Sequence, residues 1–147
     1  MSQSRDILLV EDNPDDVELT RIAFAEAGSD HRLQVVTDGA QALDYLFAQG
    51  AHAGRDPADL PAVVLLDLNL PKRNGREVLQ AIRANPATRS LPVVVLTTSA
   101  EQVDVDVVYE LGANSYIQKP VEFERFVEVV RQIGLYRLVL NQPPCRG

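Results

Sequence analysis

The chain has 147 residues, 46% hydrophobic and 24% charged, which suits one globular domain with a core large enough to stand without disulfides. With 21 acidic against 14 basic residues the net charge is -7, so nucleic acid and anionic membrane are disfavoured partners and a cation or a basic protein surface is favoured. A single cysteine, Cys145, and two histidines, His31 and His52, with no companions at zinc-ligand spacing exclude a disulfide framework and predict no structural metal, in keeping with a reducing cytoplasm.

The opening "MSQSRD" is polar, and no apolar run approaches the length needed to span a bilayer, so neither export nor membrane insertion is expected. A first strand is predicted in "ILLV" (7–10) and a first helix in "PDDVELTRIAFAEAG" (14–28), where apolar residues recur three or four apart. Asn13 suits its N-cap, Pro14 its first position, Asp15 and Asp16 the positive end of its dipole, and Gly28 a left-handed C-cap. "LQVVT" (33–37) predicts a second strand and "GAQALDYLFAQG" (39–50) a second helix, after which "GAHAGRDPADLP" (50–61) reads as a long surface loop. "AVVLL" (62–66) is a third strand, "GREVLQAIRANP" (75–86) a third helix and "VVVL" (93–96) a fourth strand. A fourth helix is predicted in "AEQVDVDVVYELGA" (100–113), with Gly112 as its C-cap, a fifth strand in "SYIQ" (115–118) and a fifth helix in "VEFERFVEVVRQIG" (121–134).

Strict alternation of short branched runs with helical stretches predicts an α/β fold, a doubly wound five-stranded parallel sheet with helices on both faces. Ligands of such sheets bind beyond the carboxyl ends of the strands, at the switch in strand order. The first strand runs into Glu11 and Asp12, and the third stops on Asp67. Two readings stand for these acids: solvated loop residues and a turn-initiating aspartate, or a convergent cluster. In a cluster each pair at about 4 Å would repel by roughly 4 kcal/mol at an effective dielectric near 20, which calls for a cation or a proton. An all-oxygen donor set with room for water suits Mg²⁺. The fourth strand ends in Thr97 and Thr98, with Ser99 suited to cap the next helix, and the fifth ends in Lys119 followed by Pro120. Acids, a hydroxyl and an ammonium at four strand ends can hold a divalent cation and a phosphoryl group together.

These residues resemble the receiver domains of bacterial two-component response regulators, which share the flavodoxin-like fold of the chemotaxis regulator CheY. The resemblance covers roughly residues 6 to 133. It is carried by Glu11 and Asp12, Asp67 with Pro71 four and Gly75 eight residues on, Thr97, Tyr116 three before the lysine, and Lys119 with Pro120. It implies that Asp67 accepts a phosphoryl group from a sensor histidine kinase, and that Mg²⁺ is held by Asp12, Asp67 and the Asn69 backbone carbonyl, with Glu11 acting through water. It also implies that Lys119 and Thr97 donate to the phosphoryl oxygens and that Thr97 and Tyr116 form a two-state switch. Thr98 stands where many receivers have a smaller residue, and Arg73 where many have Met. The turn "LPKRNGREVL", the "DNPDD" start, the long loop at 50–61 and the apolar tail are similar to the single-domain regulators of phytochrome-type sensor kinases.

Competing readings are weaker. A haloacid-dehalogenase-type phosphatase needs a second Asp where Asn69 stands, and a flavodoxin would bind phosphate where "EDNPDD" repels it. A receiver-like binding module that no longer takes phosphate is the remaining alternative. No output module is expected after the fifth helix, so the signal should pass by protein contact, without DNA. The tail at 134–147 carries the apolar run Leu135, Tyr136, Leu138, Val139 and Leu140, which is expected either to cover its own domain or, the favoured reading, to make a homodimer.

Overall fold

The computed structural model describes residues 6–28, 32–56, 59–68, 75–97, 109–110, 112–113, 115–118, 124–128 and 130–131. Its elements are β1 (Asp6–Val10), α1 (Pro14–Glu26), β2 (Arg32–Val36), α2 (Gly39–Leu46), a 3₁₀ turn (Gly50–His52), β3 (Val63–Asp67), α3 (Gly75–Ala84), β4 (Val93–Thr97) and β5 (Ser115–Gln118). Residues 109–110, 124–128 and 130–131 are also helical. All strand pairs are parallel, in the order β2-β1-β3-β4-β5. The predicted fold class is therefore the observed one.

The winding follows from chirality. The crossover from β1 to β2 moves one way along the sheet and every later crossover moves the other way. Right-handed connections therefore put α1 on one face and α2 and α3 on the opposite face. The core divides accordingly. Leu8, Val10, Val64, Leu66, Val93 and Val95 face Ala42, Tyr45 and Leu46 of α2 and Val78, Leu79 and Ile82 of α3. Ile7, Leu9, Val63, Leu65, Val94 and Leu96 face Ala23 and Phe24 of α1 together with Phe126, Val127 and Val130. Alternate residues of one strand are thus buried on opposite sides, which is why these strands read as continuous apolar runs. Each such aliphatic side chain contributes about 1.5–3 kcal/mol of burial, an upper figure because the unfolded chain is itself partly collapsed.

Helix ends follow the local chemistry. Asn13 Oδ1 accepts from the Asp15 amide at 2.9 Å, and Pro14 occupies the first turn of α1. Gly28 (φ +71°) and Gly112 (φ +98°) adopt the left-handed backbone expected of them. The second helix departs from expectation. It ends at Leu46 rather than near residue 50, because Ala48 turns left-handed (φ +54°) while the Gln49 amide reaches back to Asp44 O at 2.8 Å and the Ala48 amide to Tyr45 O at 3.4 Å. That pair of bonds is a Schellman closure built on alanine.

The long loop after α2 is held down. The Arg55 guanidinium lies 4.1 Å from the Tyr45 ring centroid and donates to Tyr45 O and Asp59 O. His52 meets the same ring edge-on at 5.2 Å. Burial raises the Tyr45 pKa above its ordinary value of 10.0, with the Arg55 charge opposing and Asp6 adding to the rise. On the far side of α3, Arg83 donates to Gly112 O through Nε (2.9 Å) and Nη2 (2.6 Å), and through Nη1 to Leu91 O (2.6 Å) and Arg89 O (2.8 Å). One side chain thus ties α3 to the turns that lead into β4 and β5. Among the described residues no helix is long and apolar enough to cross a membrane.

Candidate functional site

The strand order reverses between β1 and β3. The direction of the crossovers reverses there, so the helices after β1 and β3 leave on opposite faces, and the carboxyl ends of this pair are where open parallel sheets form their ligand crevice. The register pairs Val10 with Leu66, so the next residues, Glu11 and Asp67, stand side by side at the rim. Glu11 is kept in the sheet's continuation by its amide, which donates to Val36 O at 3.0 Å. Its side chain is turned inward, 1% exposed, with Oε2 accepting from the Asn13 amide at 3.2 Å. Asp67 is 3% exposed, whereas Asp12 is exposed.

Glu11, Asp12 and Asp67 each bring a carboxylate oxygen within 4.8 Å of the other two. The sequence reading of a convergent cluster therefore holds over that of scattered loop acids. Two of the three acids are buried, so their charges are screened less than those of surface groups. The donor set fits a hard divalent cation: all ligand atoms are oxygen, two are fixed by the sheet, and the exposed side of Asp12 leaves room for metal-bound water.

β4 and β5 bring the remaining strand ends to the same rim. Asp67 pairs with Leu96, so Thr97 lies one residue beyond, and Thr97 in turn pairs with Gln118, the residue before Lys119. The side chains of Thr97 and Tyr116, and the whole of Asn69 and Lys119, lie outside the described residues, as do Pro71, Arg73, Thr98, Pro120 and the tail 134–147.

Asn13 is more than the helix cap that its position predicts. Its backbone amide also holds the Glu11 carboxylate, a bond that any non-proline residue at position 13 could donate, so the side chain there does not announce it. Leu68 also belongs to the site, through its backbone. Its amide donates to Leu96 O at 3.0 Å and its carbonyl accepts from the Gly75 amide at 3.2 Å, so the residue after Asp67 is gripped at both of its backbone ends. No local sequence signal marks a contact of that kind.

Comparison with known proteins agrees with this geometry. Residues 7–131 match the family model described as the response regulator receiver domain. The chain is 44% identical over 138 residues to a probable methanogenesis regulatory protein, FilR2, of Methanothrix harundinacea, covering 94% of this chain and 86% of that protein. Among solved structures it is similar to the phosphorylated cyanobacterial phytochrome response regulator RcpA (TM-score 0.81, 37% identity, 97% of this chain and 99% of that one). It is similar also to the bacteriophytochrome response regulator RtBRR (TM-score 0.81, 50% identity, 97% of this chain and 86% of that one).

Proposed function

Because the chain belongs to the response regulator receiver family, we propose that it is a two-component signalling protein that accepts a phosphoryl group on Asp67 from the phosphohistidine of a sensor histidine kinase. The observation that carries this reading is the buried Asp67 carboxylate at the switch point, within 4.8 Å of two further acids. In the transfer an Asp67 oxygen attacks phosphorus, the phosphorus–nitrogen bond breaks, and the histidine departs with the electron pair. The rigid end of β3 supplies the alignment, since the reaction gains most from holding the attacking oxygen in line.

Asp12, Asp67 and the Asn69 backbone carbonyl would hold Mg²⁺, with Glu11 acting through water. When bound, the ion supplies charge neutralisation of the phosphoryl oxygens. Lys119 and Thr97 donate to those oxygens. The chain is a phosphoacceptor that assists its own phosphorylation and dephosphorylation, not an enzyme acting on an external substrate. Thr97 and Tyr116 form the switch, biased by the acyl phosphate between two arrangements. The receiver spans 6–133, and 134–147 is a dimerisation arm. Output passes by protein contact in the cytoplasm, without DNA or membrane. The likeness to RcpA and RtBRR supports a phytochrome-type kinase as the donor.

Incubation with acetyl phosphate and Mg²⁺, followed by intact-mass measurement, tests the reading. The expected result is one phosphoryl group on the wild-type chain and none on Asp67→Asn. An unmodified wild-type chain would leave a phosphorylation-independent binding module instead.

A further inference from the structure

We propose that Gly75 is a positioning residue for the phosphoacceptor, acting through the backbone of Leu68; this deepens the phosphoacceptor reading and rests on it. Gly75 is buried at the start of α3, and the reason for a glycine there is space, since its backbone is not left-handed. A Cβ at this position would lie 2.6 Å from Asp67 O, 2.6 Å from Leu68 Cα and 3.0 Å from Leu68 Cδ2. Two of these atoms are backbone, which cannot swing aside as a side-chain tip can.

The close approach has a purpose in the site. Only with a hydrogen at this position does the Gly75 amide come within 3.2 Å of Leu68 O, while the Leu68 amide is held by Leu96 O at 3.0 Å. The Leu68 side chain, 8% exposed, is locked in the core beneath. Leu68, the residue that follows the phosphoacceptor, is therefore fixed at its carbonyl by α3 and at its amide by the strand ending in Thr97. A side chain at position 75 must push the carbonyl of Asp67 away by about 0.8 Å to reach ordinary contact distance. A displacement of that size at an in-line nucleophile lowers rates by roughly 10- to 100-fold.

The test compares Gly75→Ala with Gly54→Ala, whose added Cβ meets nothing within 4 Å. Phosphorylation by acetyl phosphate is followed by intact mass, Mg²⁺ affinity by calorimetric titration, and folding by circular dichroism, with and without trimethylamine oxide. Gly75→Ala is expected to stay folded, to lose about 10- to 100-fold in maximal phosphorylation rate and to bind Mg²⁺ more weakly. Gly54→Ala should match wild type in all three. A purely structural role would lower the melting temperature but leave the rate and Mg²⁺ affinity of the folded protein unchanged, and that result overturns the proposal. Failure of Gly75→Ala to fold in either medium overturns it too, since Gly75 would then serve the fold and not the site. A wild-type chain that takes up no phosphoryl group refutes the phosphoacceptor reading itself, and this inference with it.

Discussion

Glu11→Gln is the perturbation that most directly weighs the charge economy of the site. The replacement keeps shape and an acceptor for the Asn13 amide, now 3.2 Å from Oε2, but removes one of two buried charges whose oxygens lie within 4.8 Å of each other. At that distance and an effective dielectric of 20 the Glu11–Asp67 repulsion is about 3.5 kcal/mol. Weakening the charge-assisted bond from Asn13 takes back on the order of 1 kcal/mol, so the metal-free variant should be more stable than wild type by roughly 1–3 kcal/mol. For a chain of this length that is a rise of roughly 3–10 °C in melting temperature in the presence of a chelator. Saturating Mg²⁺ should raise the wild-type midpoint more than the variant's, narrowing or reversing the gap, because the ion cancels the repulsion that the substitution has already removed. Thermal unfolding by circular dichroism, with chelator and with Mg²⁺, reads both effects. Equal midpoints in chelator together with equal Mg²⁺ responses would show that the three acids do not act as one charged site.

Three other expectations follow, two from the structure and one from the proposed dimerisation arm. Arg83→Met removes donors from the carbonyls of Arg89, Leu91 and Gly112 and should cost about 2–4 kcal/mol, a fall of roughly 5–15 °C in melting temperature, checked by calorimetry. Since the Tyr45 pKa is raised in the folded state, the stability this group contributes is complete below pH 10 and is lost as pH rises through the shifted value, so Tyr45→Phe should flatten the alkaline fall in denaturant midpoint measured above pH 10. Truncation after Gly134 should convert a dimer to a monomer at micromolar concentration in sedimentation velocity, and monomers for both chains would make the tail a cover for its own domain.

Much of the architecture was legible in the residues. The runs at 7–10, 63–66 and 93–96 are apolar at every position, short and rich in branched residues, as strands buried on both faces are, and the intervening stretches repeat at helical spacing. Those signals are local: they depend on side chains a few positions apart. Alternation plus the right-handed crossover rule then leaves few topologies, so the parallel sheet, the rim of acids and the position of Asp67 at a strand end follow from the sequence. The Asn13 cap and the left-handed Gly28 and Gly112 belong to the same class of local information.

What required the folded chain is every feature that depends on residues distant in sequence. Strand order set β1 against β3 and so brought Glu11 within 4.8 Å of Asp67, 56 residues away. The early end of α2 was decided by a Schellman closure at Ala48, where neither Gly nor Asn announced it, with Arg55 returning to cover Tyr45. The Arg83 brace has no sequence signature, and although Gly75 is among the residues that carry the family resemblance, its grip on Leu68 together with Leu96 is not readable from the sequence, because an arginine or a glycine in a helix looks the same whatever its neighbours in space. Periodicity records which face of an element is buried. Which atoms meet across that face is decided only when the elements close on one another, since a shift of less than an ångström separates the Gly75 contact from a clash.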